Sequence, residues 1–340
     1  MPIRVAQWST GIVGSAAVRA IAEHPELELV ACFAWGRDKV GRDVGVLCGI
    51  GRLGVAASDS LDALIAARPD CVLYMPLLWD VDAMLRLLEA GIDVISTANF
   101  ITGASYGRAE QARLDAAARR GGASLYGTGI NPGFANALGL MATAICRRVE
   151  RVSVLESVDS TAYASAETWR ALGFGELPGK PGLVEAARQR SLVFLDAVEM
   201  MAAALRLKLD DVRYDVAFGV ATRDLELGYM QIARGRICGL KAVWSGIAHG
   251  RPAIELGLMW RLGDAMEPDW KPVEGYVIEV DGEPGVRCRF HAEYGAGADF
   301  GLVTAMPAVH AIPAVVAARP GLVTAADLPL VVAAHCVRAS

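Results

Sequence analysis

Residues 3–17 read Ile-Arg-Val-Ala-Gln-Trp-Ser-Thr-Gly-Ile-Val-Gly-Ser-Ala-Ala, and this opening restricts the fold more than any other stretch. A short apolar run leads into Ser9-x-Gly11-x-x-Gly14, and a helix-like stretch from Ser15 to Glu23 follows at once. The order predicts a strand, a tight turn and a helix N-terminus. Gly11 has no Cβ, so a phosphate can approach the backbone, while the helix behind it offers free N–H groups and the positive end of its dipole. Ser9, Thr10, Gly11, Ile12, Val13 and Gly14 are therefore the candidate pyrophosphate loop. Ser9 stands where the usual G-x-G-x-x-G has its first glycine, so the fingerprint is a variant.

From residue 1 to about 130 strand and helix signals alternate. Leu27–Ala34, Asp70–Met75, Asp93–Thr97 and Ser124–Gly127 read as strands, and Leu61–Ala67, Val81–Ala90 and Tyr106–Arg120 as helices. Such βα units predict a Rossmann-type, doubly wound parallel sheet. Ligands of such sheets lie beyond the carboxyl ends of the strands, which makes Ser9–Gly14, Trp35–Lys39, Met75–Leu78, Thr97–Asn99 and Gly127–Gly133 the candidate loops. Past about residue 150 the pattern changes. Arg151–Val158, Val212–Ala221, Met230–Ile237, Leu240–Ile247, Ile254–Leu262, Tyr276–Val280 and Val286–Tyr294 read as strands around a helical stretch, Leu183–Leu207. The expectation is an α/β protein with an added α+β substrate and oligomerisation domain, its sheet mostly antiparallel. The division expected is 1–150 for the dinucleotide and 151–299 for substrate and dimerisation. Residues 300–340 return to the first domain through a helix, Gly301–Arg319, broken or kinked at Pro313.

With 340 residues, 54% of them hydrophobic, the chain can fill two cores. Its formal net charge is −5, without a basic run or stripe, which argues against a nucleic-acid partner. No long uninterrupted apolar run and no signal-peptide layout is present, so the expectation is a cytoplasmic protein without a membrane partner. The seven cysteines are scattered without a C-x-x-C, and the five histidines show no ligand spacing. Reduced thiols and no metal are expected.

The second strand ends Cys32-Phe33-Ala34-Trp35-Gly36-Arg37-Asp38-Lys39. NAD-binding sheets place a carboxylate at this strand tip to receive the ribose hydroxyls. None stands here, and Arg37 and Lys39 suit a 2′-phosphate, so NADP(H) is preferred. Asp38, between the two cations, keeps NAD(H) open. Trp35, Pro76, Leu77 and Thr97, on the same set of loops, complete the expected lining.

The run Gly127-Thr128-Gly129-Ile130-Asn131-Pro132-Gly133-Phe134 joins three others: Gln7–Gly14, Lys39-Val40-Gly41-Arg42-Asp43 and Ala311-Ile312-Pro313-Ala314-Val315-Val316. In that order they resemble the dihydrodipicolinate-reductase-like proteins, a group that includes 2,4-diaminopentanoate dehydrogenase and the native amine dehydrogenases. The resemblance implies an NAD(P)H-dependent oxidoreductase with a nucleotide-binding domain and a sheet-containing substrate domain, working as a homodimer on a small-molecule substrate. The amine dehydrogenases convert a ketone and ammonia to an amine. Two departures matter. The His-His-Arg-x-Lys run of true dihydrodipicolinate reductases is absent. The glutamate expected just after the fifth strand, which handles ammonia in the amine dehydrogenases, is Asn99. An amide hydrogen-bonds but takes no proton at neutral pH, which calls reductive amination into question and leaves the hydride-transfer scaffold intact.

The remaining site candidates follow from what hydride transfer requires of a protein, which is to orient the substrate and to stabilise or protonate the developing anion. Asn99 suits orienting a carbonyl or the nicotinamide amide, against a plain turn role. Asn131 suits the nicotinamide ribose or amide, against holding its loop. Tyr163, in the polar and aromatic entry Glu156–Trp169, is the preferred proton donor, against substrate packing; His310 is a second acid candidate, against a core histidine. Trp169, Phe174 and Trp260 read as an apolar wall or core, Glu156 and Asp159 as structural partners or an ammonium anchor, and His249 as a surface turn. The function expected is hydride transfer to a C=N or C=O carbon of a small, fairly apolar substrate. The alternatives are a carbonyl reductase without ammonia chemistry and a non-catalytic NADP(H)-binding sensor or scaffold.

Overall fold

In the computed structural model, which describes residues 1–294 and 299–337, the first strand β1 (Ile3–Trp8) buries Val5, Ala6 and Gln7 completely. Helix α1 (Ile12–Glu23) packs through small residues, Gly14, Ala16 and Ala17, with Val18 and Ile21, so it can approach the sheet closely. The chain continues through β2 (Leu27–Phe33), the short α2 (Val44–Leu47), β3 (Ala57–Ser58), α3 (Leu61–Ala66), β4 (Cys71–Tyr74), α4 (Val81–Glu89), β5 (Asp93–Ser96), α5 (Arg108–Gly121) and β6 (Ser124–Gly127). Three of these helices start on a side-chain cap: Asp43 for α2, Ser60 for α3 and Asp80 for α4. Gly122, at φ 75°, ends α5 in the left-handed region that a glycine reaches freely.

The second stretch holds α6 (Ala135–Ala142), β7 (Arg148–Asp159), α7 (Ala166–Ala171), α8 (Leu183–Arg190), α9 (Val193–Ala204), β8 (Asp211–Ala221), the two-residue strands β9 (Leu225–Glu226) and β10 (Gln231–Ile232), β11 (Ile237–Ala248), β12 (Arg251–Arg261), β13 (Met266–Glu267), β14 (Gly275–Glu283) and β15 (Val286–Phe290). Its sheet runs β13-β8-β11-β12-β7-β14-β15, antiparallel throughout except for β12 against β7. Helices cover the face that carries Val154, Trp244 and Gly246. A Cβ on Gly139 of α6 would sit 3.0 Å from Val154, and one on Gly246 would sit 2.8 Å from Val198 of α9. Trp244 donates its Nε1–H to Ser191 Oγ at 3.2 Å, under the Arg188 guanidinium.

The chain then returns through α10 (Leu302–Val316) and β16 (Gly321–Val323), which pairs parallel with β6. The first sheet is thereby seven-stranded and parallel, in the order β16-β6-β5-β4-β1-β2-β3. The chain divides into two compact units, Met1–Phe134 with Tyr294–Ser340, and Ala135–Glu293. Helix α6, on the amino-terminal side of residue 150, packs on β7, β14 and α9 and so belongs to the second unit. Residues 338–340 of the returning segment lie outside the described residues.

Three local expectations change. Leu183–Leu207 is two helices, α8 and α9, because Ser191 turns its hydroxyl back onto the Ala187 and Arg188 carbonyls. The strand expected over Met230–Ile237 is β10 followed by a turn, in which Gly235 stands at φ 79° and its N–H reaches the Ala221 carbonyl at 2.7 Å. Helix α10 runs through Pro307 and Pro313 instead of breaking, held by a buried face of Ala305, Ala308, Val309, Ala311, Ile312 and Val315. No described helix is long and apolar enough to cross a membrane.

Candidate nucleotide-binding site

The chain leaves β1 toward β2 and β3, then crosses back to β4 on the other side. The reversal puts the switch point of the sheet between β1 and β4, where open α/β sheets bind ligands. Ser9 sits there with φ 78°, a left-handed conformation that explains why glycine is usual at this place. Its side chain turns the departure to use: Ser9 Oγ donates to the Met75 carbonyl at 2.8 Å and ties the turn to the end of β4. Gln7, wholly buried, donates from Nε2 to the Trp8 and Ser9 carbonyls, both at 3.1 Å.

The two glycines of the loop serve different ends. A Cβ on Gly14 would lie 2.3 Å from the Ser9 carbonyl oxygen, so glycine is what lets α1 start this close to β1. A Cβ on Gly11 would meet nothing within 4 Å, so the ground before the helix is open. No side chain caps α1 and no acid stands in its first turn. Ser15 N–H is bonded to Gly11, and the N–H groups of Ile12, Val13 and Gly14 belong to the unsatisfied first turn. Thr10 Oγ1 is buried without a partner beside them. This donor set, with its positive dipole end, fits a dinucleotide pyrophosphate.

Toward β2, Phe33 stacks on Trp8 with centroids 4.0 Å apart, and Trp35, 58% exposed, follows at 6.2 Å from Phe33. Tyr74 and Trp79 continue the chain of rings, and Trp79 is stacked between Phe100 and Tyr106. A cavity of about 700 Å³ opens against Trp8, Phe33, Trp35, Tyr74, Trp79 and Tyr106 at the carboxyl ends of β1, β2 and β4. Pro76 lines it, and Leu77 beside it is exposed. Its planar aromatic walls fit a nucleobase, and Asp80, Asp82, Glu110 and Arg113 also line it. Sequence reading missed Trp79 and Tyr106; an aromatic residue next to a strand-end loop was the available signal. Arg37 and Lys39 leave β2 on the turn beyond, with Arg37 exposed and Lys39 half-buried. Burial pushes the Cys32 thiol up to about 12, with Cys48 adding to this and Lys39 opposing it, so it stays a thiol.

The ends of β5 and β6 carry the next candidates. Thr97 N–H joins the Tyr74 carbonyl at 3.1 Å, and Thr128 N–H joins Ser96 at 2.9 Å, so β4, β5 and β6 end in a laced edge. Asn99 is exposed, at φ 44°, and its carbonyl accepts the Tyr106 hydroxyl at 2.7 Å. Asparagine tolerates that conformation better than glutamate. The turn before it is closed by Ser96, whose Oγ accepts the Ala98 N–H. Asn131 is half-buried, in a non-helical turn where a Cβ on Gly133 would lie 2.9 Å from Thr128 Oγ1.

His310 lies well along α10. Gly301 abuts Ile12 at the start of α10, and nine residues on, about 13 Å down the helix, His310 faces a separate cavity of about 380 Å³ with Arg19, Glu23, His24 and His335. It stands beside the far end of α1, not beside the Ser9–Gly14 turn, and burial, then His24, lowers its pKa and keeps it neutral.

In the second unit, Tyr163 meets Trp169 edge-on at 6.0 Å, and its carbonyl accepts the Trp169 Nε1–H at 2.9 Å. Burial raises the phenol. Trp169 touches Phe174 and Trp260, and Trp260 donates its Nε1–H to Glu156 Oε1 at 2.8 Å. Glu156 is buried; Asp159 accepts from the Thr161 N–H and hydroxyl and holds the turn after β7. His249 is exposed at φ 51° in the β11–β12 turn.

Residues 134–338 match the family model of the 2,4-diaminopentanoate dehydrogenase C-terminal domain, and residues 8–76 match that of the dihydrodipicolinate reductase N-terminus. The chain is 29% identical to an amine dehydrogenase of Streptomyces virginiae, across 95% of both chains. It is 26% identical to a 2,4-diaminopentanoate dehydrogenase of Acetoanaerobium sticklandii, covering 73% of this chain and 70% of that one. The fold is that of the amine dehydrogenase from Mycobacterium smegmatis, with a TM-score of 0.82 at 23% identity over 97% of both chains. A parallel sheet with a glycine turn at its switch point and a second sheet-bearing unit, in this company, define an NAD(P)H-dependent oxidoreductase. The chain belongs to the 2,4-diaminopentanoate dehydrogenase family within the dihydrodipicolinate-reductase-like group.

Proposed function

We propose that the protein moves a hydride between NADP(H) and the carbon of a C=O or C=N bond in a small, fairly apolar substrate. The observation that carries the reading is the open, uncapped start of α1 behind Gly11. With it goes a β2 tip that holds no carboxylate and leads to Arg37 and Lys39. Residues 9–14 bind the pyrophosphate, the aromatic basin takes the base and the two cations take a 2′-phosphate. Bound there, the cofactor supplies the hydride. Asn131 and Asn99 orient the nicotinamide and the substrate carbonyl. Tyr163 is the proton donor: its burial keeps the phenol protonated until a developing alkoxide draws the proton.

Kinship with the Streptomyces virginiae amine dehydrogenase favours the C=N substrate, whereas Asn99, unable to take a proton, favours carbonyl reduction without ammonia. Turnover of NADPH over a panel of small ketones, with and without ammonia, separates these. Oxidation that depends on ammonia supports amination, and oxidation without it supports the carbonyl reductase. Tight NADPH binding with no turnover across the panel refutes both and leaves a sensor or scaffold. The protein acts as a cytoplasmic homodimer in this reading, which sedimentation of the purified chain tests.

A further inference from the structure

The run Lys39-Val40-Gly41-Arg42-Asp43 is left without a full role by the site above. We infer that Asp43 is a positioning residue for cofactor discrimination: its carboxylate fixes the turn that carries Arg37, Lys39 and Arg42 where they meet a 2′-phosphate. This rests on the NADP(H) reading. Asp43 Oδ1 accepts the N–H groups of Gly45 at 2.9 Å, Val46 at 3.2 Å and Leu53 at 3.1 Å, and Oδ2 accepts that of Gly54 at 2.8 Å. Two donors come from the first turn of α2 and two from the loop after it, so one side chain closes the whole of residues 43–54. The bond from Leu53 leads those that hold its pKa below the usual carboxylate value, so the acceptor stays ionised. Gly45 completes the closure, since a Cβ there would lie 2.1 Å from the Gly51 carbonyl oxygen.

The basic turn runs straight into this hub, and the strand that follows the hub pairs back onto the turn. Val44 N–H reaches the Val55 carbonyl and Gly41 N–H the Ala57 carbonyl, both at 2.8 Å, while Ala57 N–H returns to Arg42 at 2.9 Å. Above them Lys39 N–H and Val40 N–H share the Gly36 carbonyl, at 2.8 and 3.1 Å, and Arg42 N–H reaches Lys39 at 3.0 Å. Arg42 Nη1 closes the turn on the Asp38 carbonyl at 3.3 Å. A phosphate contact depends on where the cation is held, so loosening the hub costs NADPH and spares NADH.

The test is the ratio of NADH to NADPH dissociation constants, by tryptophan fluorescence, for wild type, Asp43→Asn and Asp43→Ala. The ratio does not depend on the fraction of folded protein. Asn keeps an oxygen for the three donors on Oδ1, so its ratio stays within about threefold of wild type. Ala loses all four acceptor bonds, and its ratio falls by about tenfold or more through weaker NADPH binding. A wild-type ratio in Asp43→Ala overturns the inference alone. So does tighter NADPH binding in both variants, which would mark simple loss of a negative charge. A wild-type protein that binds both nucleotides equally overturns the NADP(H) reading and this inference together.

Discussion

Gly11→Ala separates binding from folding in a single methyl group. Gly11 has φ −75° and ψ −167°, which alanine adopts without strain, and its Cβ would meet nothing within 4 Å. Two small stability terms then oppose each other. Alanine narrows the unfolded ensemble, worth about 0.4–1 kcal/mol, and is a poorer N-cap than glycine, costing a similar amount or about 1 kcal/mol. The net change in unfolding free energy is within about 1 kcal/mol. The methyl nevertheless fills the ground where the pyrophosphate must touch the backbone. A close-packing conflict of about 1–3 kcal/mol weakens NADPH binding by about 5- to 150-fold. Urea denaturation gives the first number, and quenching of the tryptophans gives the second, since Trp8 and Trp35 line the cavity. Near-native stability with wild-type NADPH affinity would refute the placement of the phosphate at Gly11.

Gly14→Ala fails in the opposite way: its Cβ would lie 2.3 Å from backbone at Ser9, so urea denaturation shows a loss of about 1–3 kcal/mol together with weakened binding. His310→Ala, at the far end of α1, leaves the NADPH dissociation constant within about twofold of wild type. Burial, helped against the Ser124 N–H by the charge of Asp70, pushes Asp93 from 3.8 up to about 6. The folded state then holds this proton more firmly than the unfolded chain, so stability falls as pH rises from about 4 through 6 and flattens above. Asp93→Asn, which keeps an acceptor for the Ser124 N–H, removes that part of the slope in denaturation curves taken across the range.

The opening strand, turn and helix were legible because the sequence confines strand, glycines and helix to 21 residues, Ile3–Glu23. The strands of the second unit were legible through their alternation, as in β8, where residues 211–218 alternate between exposed and half-buried. Side-chain devices were not. The Ser9 hydroxyl finds its partner at Met75, 66 residues away, and Asp43 collects donors up to Gly54. The aromatic basin draws its rings from β1, β2, β4 and the segments after β2, β4 and β5, which no local pattern reveals. How far down α10 His310 lies was not legible either, because adjacency to Ala311-Ile312-Pro313 in sequence does not give it. Pro313 was read as a break or kink, whereas α10 runs on through it because tertiary burial overrides propensity.

The central claim is a dinucleotide site whose basic turn reads a 2′-phosphate. Its most direct test compares NADPH and NADH binding to wild type and Arg37→Ala by tryptophan fluorescence. The account predicts tighter NADPH binding in wild type and loss of that preference in the variant, with NADH binding unchanged. Failure of wild type to bind either nucleotide, or a preference for NADPH that survives Arg37→Ala, would contradict it.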